Sequence, residues 1–225
     1  MNAHPATIST FTNSPPSKQS ALLVLLIVAL TLLIAFAGQH LLISDELYFN
    51  ALAEQMTYEQ IQKVVAQNHT WSWVSYIILP IFNLLKFTLV ASCLSLGYYF
   101  AANRWAFKPF FQVAVQAELV LLLPALVKLL WFLFVQTDYS LQDLQLFYPL
   151  SLLNLLDVHT VEPYLFYPLQ LLNLFELTYW LVLAYGVAEV VGWSWQRGLG
   201  MVAASYGSGL LVWVMFVMFL IVSLS

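Results

Sequence analysis

The amino-acid sequence predicts an all-α fold, a polytopic bundle of five transmembrane helices with an extra re-entrant or interfacial helix. Of the 225 residues, 62% are hydrophobic and only 8% are charged, and the mean hydropathy is +0.83. A soluble domain has about 25% charged residues, so this composition indicates an integral membrane protein. Five apolar stretches also reach the roughly 20 residues that a helix needs to cross a hydrocarbon core of about 30 Å.

The amino-terminal segment, residues 1–20, is rich in Ser, Thr, Asn and Pro and lacks helical periodicity, which predicts a disordered cytoplasmic tail. The first span follows over residues 21–44. A cleaved signal peptide is the alternative, because Ala35, Phe36 and Ala37 have the small-x-small form of a cleavage site. Retention is favoured because Lys18 is the only charged residue of the tail and the apolar stretch continues past the cleavage site.

The rest of the chain completes a single membrane domain, residues 21–225. A polar segment, residues 45–70, contains apolar residues at near-helical spacing and is predicted to form one or two short amphipathic helices. The remaining spans are predicted over residues 74–101, 109–135, 177–193 and 199–222.

Basic residues in the loops orient the predicted bundle, because Lys and Arg are retained on the cytoplasmic side of short loops. One side carries Lys18, Arg104, Lys108 and Arg197. Lys63 alone falls on the other side, in a loop with four acidic residues. The sequence therefore predicts a cytoplasmic amino terminus and a carboxyl terminus on the opposite side of the membrane.

Three charged residues inside the predicted spans form a candidate intramembrane polar cluster: Lys86, Glu118 and Lys128. A lone charge near the bilayer centre costs at least about 2.5 kcal/mol, so these side chains should face protein or water. Helical rise places Lys86 roughly 22 Å from the inner end of its span, between Glu118 at roughly 14 Å and Lys128 at roughly 28 Å.

This depth argument predicts a contact between Lys86 and Glu118, because pairing removes much of the cost of two buried charges. Glu118 and Lys128 are too far apart along one helix to meet. Two interpretations of the cluster stay open. It is either a buried pair that fixes helix register, with Lys128 extending outward, or a polar cavity for a solute.

A short segment of the chain is duplicated, since Leu146–Asp157 recurs in modified form as Leu165–Glu176. The proline in each copy suits a first helical turn, and each copy ends in an Asn-x-x-acid capping pattern. The second copy is predicted to start the fourth span, with Asn173 and Glu176 as its helix caps. The first copy is too short to cross and is predicted to be the re-entrant or interfacial helix.

No catalytic, cofactor or metal site is predicted. The histidines are isolated from one another, without HExxH spacing: His4, His40, His69 and His159. Cys93 is the only cysteine, which excludes an internal disulfide and a CxxC site. Gly207 and Gly209 in the last span are predicted to let another helix approach closely. A net charge of -4 leaves no basic surface for nucleic acid.

The segment Leu172–Gly186, LNLFELTYWLVLAYG, followed by a short loop and a last apolar span, resembles the penultimate helix of Yip-domain membrane proteins. Residues 84–128 are similar as well, with a Lys in the second span, a basic turn, and Glu118 followed by Pro124 as in bacterial members. The resemblance implies a cytoplasmic amino terminus, five helices and a bacterial cytoplasmic membrane.

Two functions of different classes follow. The first is a non-enzymatic scaffold, trafficking or assembly partner of the Yip type, which acts through helix packing and exposed loops. Its partners would be the lipid bilayer and other membrane proteins or further copies of itself, with no cofactor. The alternative is a transporter of a small solute or ion past Lys86, Glu118 and Lys128.

Overall fold

The computed structural model describes residues 18–224, apart from the side chains of residues 18, 19 and 159. Of these residues, 84% are helical, and none lies in a strand. Residues 1–17 of the predicted tail lie outside the described residues, as does the carboxyl-terminal residue. In chain order the α-helices are α1 (Lys18–Leu41), α2 (Asp45–Leu52), α3 (Tyr58–Ala102), α4 (Phe107–Phe134), α5 (Leu141–Leu146), α6 (Pro163–Leu171), α7 (Leu174–Val191), α8 (Trp195–Val202) and α9 (Ser208–Leu224).

Five helices are long and apolar enough to cross a membrane. They are α1, α3, α4, α7 and a continuous last span in which a π-helical turn, Ala203–Gly207, joins α8 to α9. The predicted all-α fold with five spans is therefore confirmed, and the chain is an integral membrane protein. Two short 3-10 helices, Leu152–Leu155 and Val158–Thr160, lie in the connection between α5 and α6.

Helix α3 differs most from its predicted span, residues 74–101, because it already begins at Tyr58 and runs for 45 residues. The polar residues from Tyr58 onward are part of this helix and do not form separate short helices. Gln60 Oε1 accepts a hydrogen bond from Thr57 N at 3.0 Å, which satisfies a free backbone donor at the helix start. A helix of this length is about 68 Å long, so a large part of α3 extends beyond a hydrocarbon core of about 30 Å.

The described residues pack as two compact units that alternate along the chain. The first contains residues 18–27, 84–120 and 176–224, and the second contains residues 28–83 and 121–175. Helices α3 and α4 each contribute one part to each unit. Each unit has buried side chains of its own.

The first unit packs the later part of α3, the first part of α4, α7 and the last span. Its fully buried large side chains include Phe87, Leu94, Phe110, Tyr179, Leu183 and Val187. The positions predicted for helix packing lie at close contacts in this unit. A Cβ atom at Gly207 would lie 2.7 Å from Trp180 Cη2, and one at Gly209 would lie 3.0 Å from Cys93 Sγ. Small residues permit this approach.

The second unit has an apolar cluster formed by Leu42, Leu129, Phe132 and Leu144. Tyr139 Oη donates a hydrogen bond to Leu42 O at 3.0 Å, and α2 contacts α5. Successive crossings of the membrane place the α1–α3 and α4–α7 connections on the same side, and the contact between α2 and α5 agrees with that topology.

The two copies of the repeat adopt different structures. The first copy forms only the short 3-10 helix Leu152–Leu155, so the prediction of a re-entrant or interfacial helix there is wrong, and α5 and α6 are the helices that lie outside the spans. The second copy begins in α6, and α7 starts only at Leu174. Ser151 and Asn173 form an antiparallel bridge between the copies. Its hydrogen bonds use backbone groups that a continuous helix would bond internally.

Candidate functional site

The candidate site begins with an ion pair between α3 and α4. Lys86 Nζ donates a hydrogen bond to Glu118 Oε1 at 2.8 Å. The Glu118 side chain is 7% exposed, whereas that of Lys86 is 40% exposed. Burial of a carboxylate in a membrane requires such a partner, because an isolated charge there is costly. The pair therefore stabilises the approach of the two helices.

A tight turn places the two residues at matching depth. Asn103 follows the last residue of α3 with a left-handed φ of 52°, and its N–H donates to Tyr99 O at 2.8 Å. Asn tolerates this conformation and is a common residue at the end of a helix. The chain then reverses, and α4 begins at Phe107 beside the helix it has just left.

Tyr179 on α7 extends the ion pair toward the last span. Lys86 Nζ lies 5.8 Å from the centroid of the Tyr179 ring, which is within the range of a cation–π interaction. The Tyr179 ring also packs edge-on against Tyr206, with the ring centroids 5.5 Å apart. Tyr179 is fully buried, so this contact joins side chains from three helices inside the unit.

Glu176 is a second buried carboxyl group, and its side chain belongs to the same set of contacts. Its Oε1 accepts hydrogen bonds from Trp180 Nε1 at 2.9 Å and from Tyr206 Oη at 2.8 Å. Glu176, which is predicted as a helix cap, lies in the first turn of α7, and this helix begins directly after Asn173. Its long-range contact with Tyr206 shows that it also connects α7 to the last span.

These contacts form one polar network, which consists of Lys86, Glu118, Glu176, Tyr179, Trp180 and Tyr206. Two of its buried atoms, Glu118 Oε2 and Tyr179 Oη, have no hydrogen-bond partner among the described residues. A buried polar atom without a partner costs about 1–3 kcal/mol. The Glu118 carboxylate can therefore accept a further hydrogen bond, and the Tyr179 hydroxyl can donate or accept one.

Lys128, the third member of the predicted cluster, lies in the second unit. Its side chain is half-buried, and it forms no ion pair with a described residue. The structure therefore brings Lys86 and Glu118 together in one unit and places Lys128 outside the polar network. No group of three or more His, Cys, Asp or Glu side chains that could hold a metal ion occurs among the described residues.

The sequence analysis did not identify Tyr179, Trp180 or Tyr206 as site residues. A local signal exists for Trp180, because it follows Glu176 by four residues and so lies on the same helix face. Tyr206 is 30 residues further along the chain from Glu176, and no local spacing relates the two. Only the packing of the last span against α7 joins them.

Comparison of the chain with protein-family models, curated proteins and solved structures finds no match.

Proposed function

We propose that this protein is a non-enzymatic membrane scaffold or assembly partner of the Yip type, in a bacterial cytoplasmic membrane with its amino terminus in the cytoplasm. The observation that supports this function is the polar network. Its charges are joined to one another and to aromatic side chains within one helix packing unit. Intramembrane charges used in this way stabilise a particular arrangement of helices and need no substrate.

Two spans have the exposed surface that a scaffold requires. In the most apolar 18-residue stretch of α1 only 6% of the residues are buried, and the same is true of the last span. Exposed leucines on α1 include Leu22, Leu25 and Leu33, which share one face of the helix. Such faces contact lipid or the helices of a partner protein.

The test is to purify the full chain in mild detergent and identify the membrane proteins, or further copies of the chain, that remain bound. Changing Leu22, Leu25 and Leu33 together to Ala removes side chains that pack on little within the described residues. A second triple variant changes Leu211, Met215 and Phe219 on α9 to Ala in the same way. These three side chains are similarly exposed.

We expect at least one triple variant to lose a bound partner while keeping the thermal stability of the wild type. A monomer without bound protein contradicts the scaffold function. The same bound proteins in the wild type and both triple variants would also contradict the use of these faces.

A transporter of a small solute or ion is the second candidate. The observation that favours it is the pair of unpartnered atoms, Glu118 Oε2 and Tyr179 Oη, together with the 40% exposure of Lys86. Passage of protons and of rubidium ions into liposomes separates the two functions. A transporter loses flux when Lys86→Met and Glu118→Gln are combined, whereas a scaffold shows no protein-dependent flux with or without these changes.

A further inference from the structure

An apolar groove of about 820 Å³ lies in the first unit, between the later part of α3 and the last span. Ligand pockets in proteins commonly have volumes of about 300–1,000 Å³. The α3 wall includes Cys93, Gly97 and Phe100, and the opposite wall includes Gly200 and Val212. The groove is large enough to hold a chain-like apolar molecule and is formed by one unit alone.

The hydroxyl groups that line this groove are already used by the helix. Ser205 Oγ donates to Met201 O at 2.7 Å, and Ser208 Oγ donates to Ala204 O at 2.7 Å. Serine hydroxyls that bond back to the preceding turn present little polarity to a ligand. The walls are therefore suited to a hydrocarbon chain.

Arg197 is the only charged residue in the groove lining. Its Cζ lies 4.0 Å from the centroid of the Trp193 ring, a cation–π contact that holds the guanidinium in place. The Trp193 ring in turn packs edge-on against Tyr98, with centroids 5.6 Å apart. Arg197 is exposed and forms no ion pair with a described residue. The groove thus has a fixed cation without a counter-charge.

The ends of two spans place this cation at the depth of lipid headgroups. Helix α7 ends at Val191. The next residue, Gly192, turns the chain with a left-handed φ of 72°, and Trp193 N donates to Ala188 O at 3.0 Å. The last span begins at Trp195. Tryptophans at span ends are typical of the membrane interface. A basic group beside a cleft between spans is a common binding site for anionic headgroups.

We propose that this groove binds an anionic phospholipid, with one acyl chain along the apolar walls and the phosphate on the Arg197 guanidinium. The planar guanidinium can donate two parallel hydrogen bonds to phosphate oxygens. The walls supply the apolar contact, and Arg197 supplies the preference for a headgroup with net negative charge.

The test uses the full chain in nanodiscs of phosphatidylcholine that contain a small fraction of one photoreactive lipid. The two probes are phosphatidylglycerol and phosphatidylcholine with the same diazirine in the acyl chain, and adducts are mapped by mass spectrometry of residues 93–101 and 197–212. We expect about fivefold more adduct from phosphatidylglycerol, as one basic group at the membrane surface provides.

Two variants test the two parts of the proposed site. Arg197→Gln should make the two lipids label equally. Gly200→Leu should reduce labelling by both, because Gly200 lines the groove and a Cβ there meets no atom within 4 Å, so the added side chain takes up space in the groove. The matched controls are Arg104→Gln, an exposed basic residue outside the lining, and Gly38→Leu, where the Cβ also meets no atom within 4 Å. Both controls should label as the wild type does.

Equal labelling of the wild type by the two lipids would overturn the proposal. It would also be overturned if Arg104→Gln lost the preference to the same extent as Arg197→Gln. Absence of an adduct from either lipid in residues 93–101 and 197–212 would overturn it as well. If Arg197→Gln lowers the yield of folded protein, Gly200→Leu and its control still decide whether lipid occupies the groove.

Discussion

At the scale of single residues, the first unit buries two carboxyl groups in different ways. Glu118 is paired with the ammonium group of Lys86 at 2.8 Å, whereas Glu176 accepts hydrogen bonds from the neutral groups of Trp180 and Tyr206. An opposite charge offsets the burial of a carboxylate by direct attraction, and neutral donors offset it by replacing water. Removing one donor should therefore have different consequences at the two positions.

Lys86→Met should destabilise the protein more than the double change Lys86→Met/Glu118→Gln. The single change leaves the Glu118 carboxyl without its partner, whereas the double change removes both charged groups. Breaking a fully buried pair costs about 3–5 kcal/mol, and the 40% exposure of Lys86 reduces the expected loss to about 1–3 kcal/mol. Unfolding in detergent, monitored by tryptophan fluorescence, shows which of the two variants is less stable. Equal stability of both would mean that the ion pair does not hold the helices together.

Tyr206→Phe should lower stability, whereas Tyr179→Phe should leave it unchanged or raise it slightly. The Tyr206 hydroxyl donates to Glu176 at 2.8 Å, but the Tyr179 hydroxyl is buried without a partner. Hydrogen bonds between membrane helices contribute about 0.6 kcal/mol on average and up to about 1.7 kcal/mol, which sets the expected loss. The same unfolding measurement compares these two isosteric changes. A larger loss in Tyr179→Phe would indicate that its hydroxyl has a partner in the membrane.

At the scale of helices, close contact between spans depends on where the glycines face. In α8, a Cβ atom at Gly198 would lie 2.5 Å from Ala184 O, a backbone atom of α7. Gly200, two residues further along the same helix, faces open space. The absence of a side chain at Gly198 therefore permits α7 and α8 to pack closely, and Gly200 leaves the groove open.

Gly198→Ala should destabilise the protein, whereas Gly200→Ala should stabilise it. Replacing Gly by Ala in a helix gains about 0.8–1 kcal/mol of helix propensity at either position. At Gly198 this gain is outweighed by overpacking against the backbone, which costs about 1–3 kcal/mol or more. Thermal unfolding of the two variants in one detergent gives the comparison. Stabilisation by both changes would show that α7 and α8 can separate at little cost.

At the scale of the whole molecule, five spans place alternate connections on opposite sides of the membrane. The α1–α3 and α4–α7 connections share one side, where α2 contacts α5 within the second unit. The first part of α3 extends beyond the hydrocarbon core on this side. The turn after α3 contains Arg104, and Arg197 lies in the first turn of the last span. The side of the membrane on which these two basic residues lie is therefore proposed to be cytoplasmic.

Single cysteines should report this orientation in a Cys93→Ala background. Cysteines introduced at Gln60 and Gln142, both exposed, should react with a membrane-impermeant maleimide added to intact bacterial cells. Cysteines at Arg104 and Gln196 should react only after the cells are opened. If the cysteine at Gln142 reacted only in opened cells, as expected for Arg104, the five-span topology would be contradicted. The reverse pattern at all four positions would invert the proposed orientation.

The chain by itself determines the class and much of the organisation of this protein. The length and apolarity of its stretches are local properties, and a bilayer selects helices of that length because every backbone group must be bonded internally. The capping pattern from Thr57 to Gln60 was also available as a signal for the early start of α3. The two intramembrane charges of the ion pair are recognisable because lipid excludes unpaired charge, and their depths follow from helical rise.

Only the tertiary structure decided which distant residues meet. Tyr206 reaches Glu176 because the last span packs beside α7. The two repeat copies meet through backbone hydrogen bonds from Leu152 N to Leu172 O and from Leu174 N to Leu150 O. Arg197 becomes the one charge of a groove because α3 supplies the other wall. Residue spacing along a helix carries no information about its neighbours in space, so these contacts depend on packing between helices that are far apart in the chain.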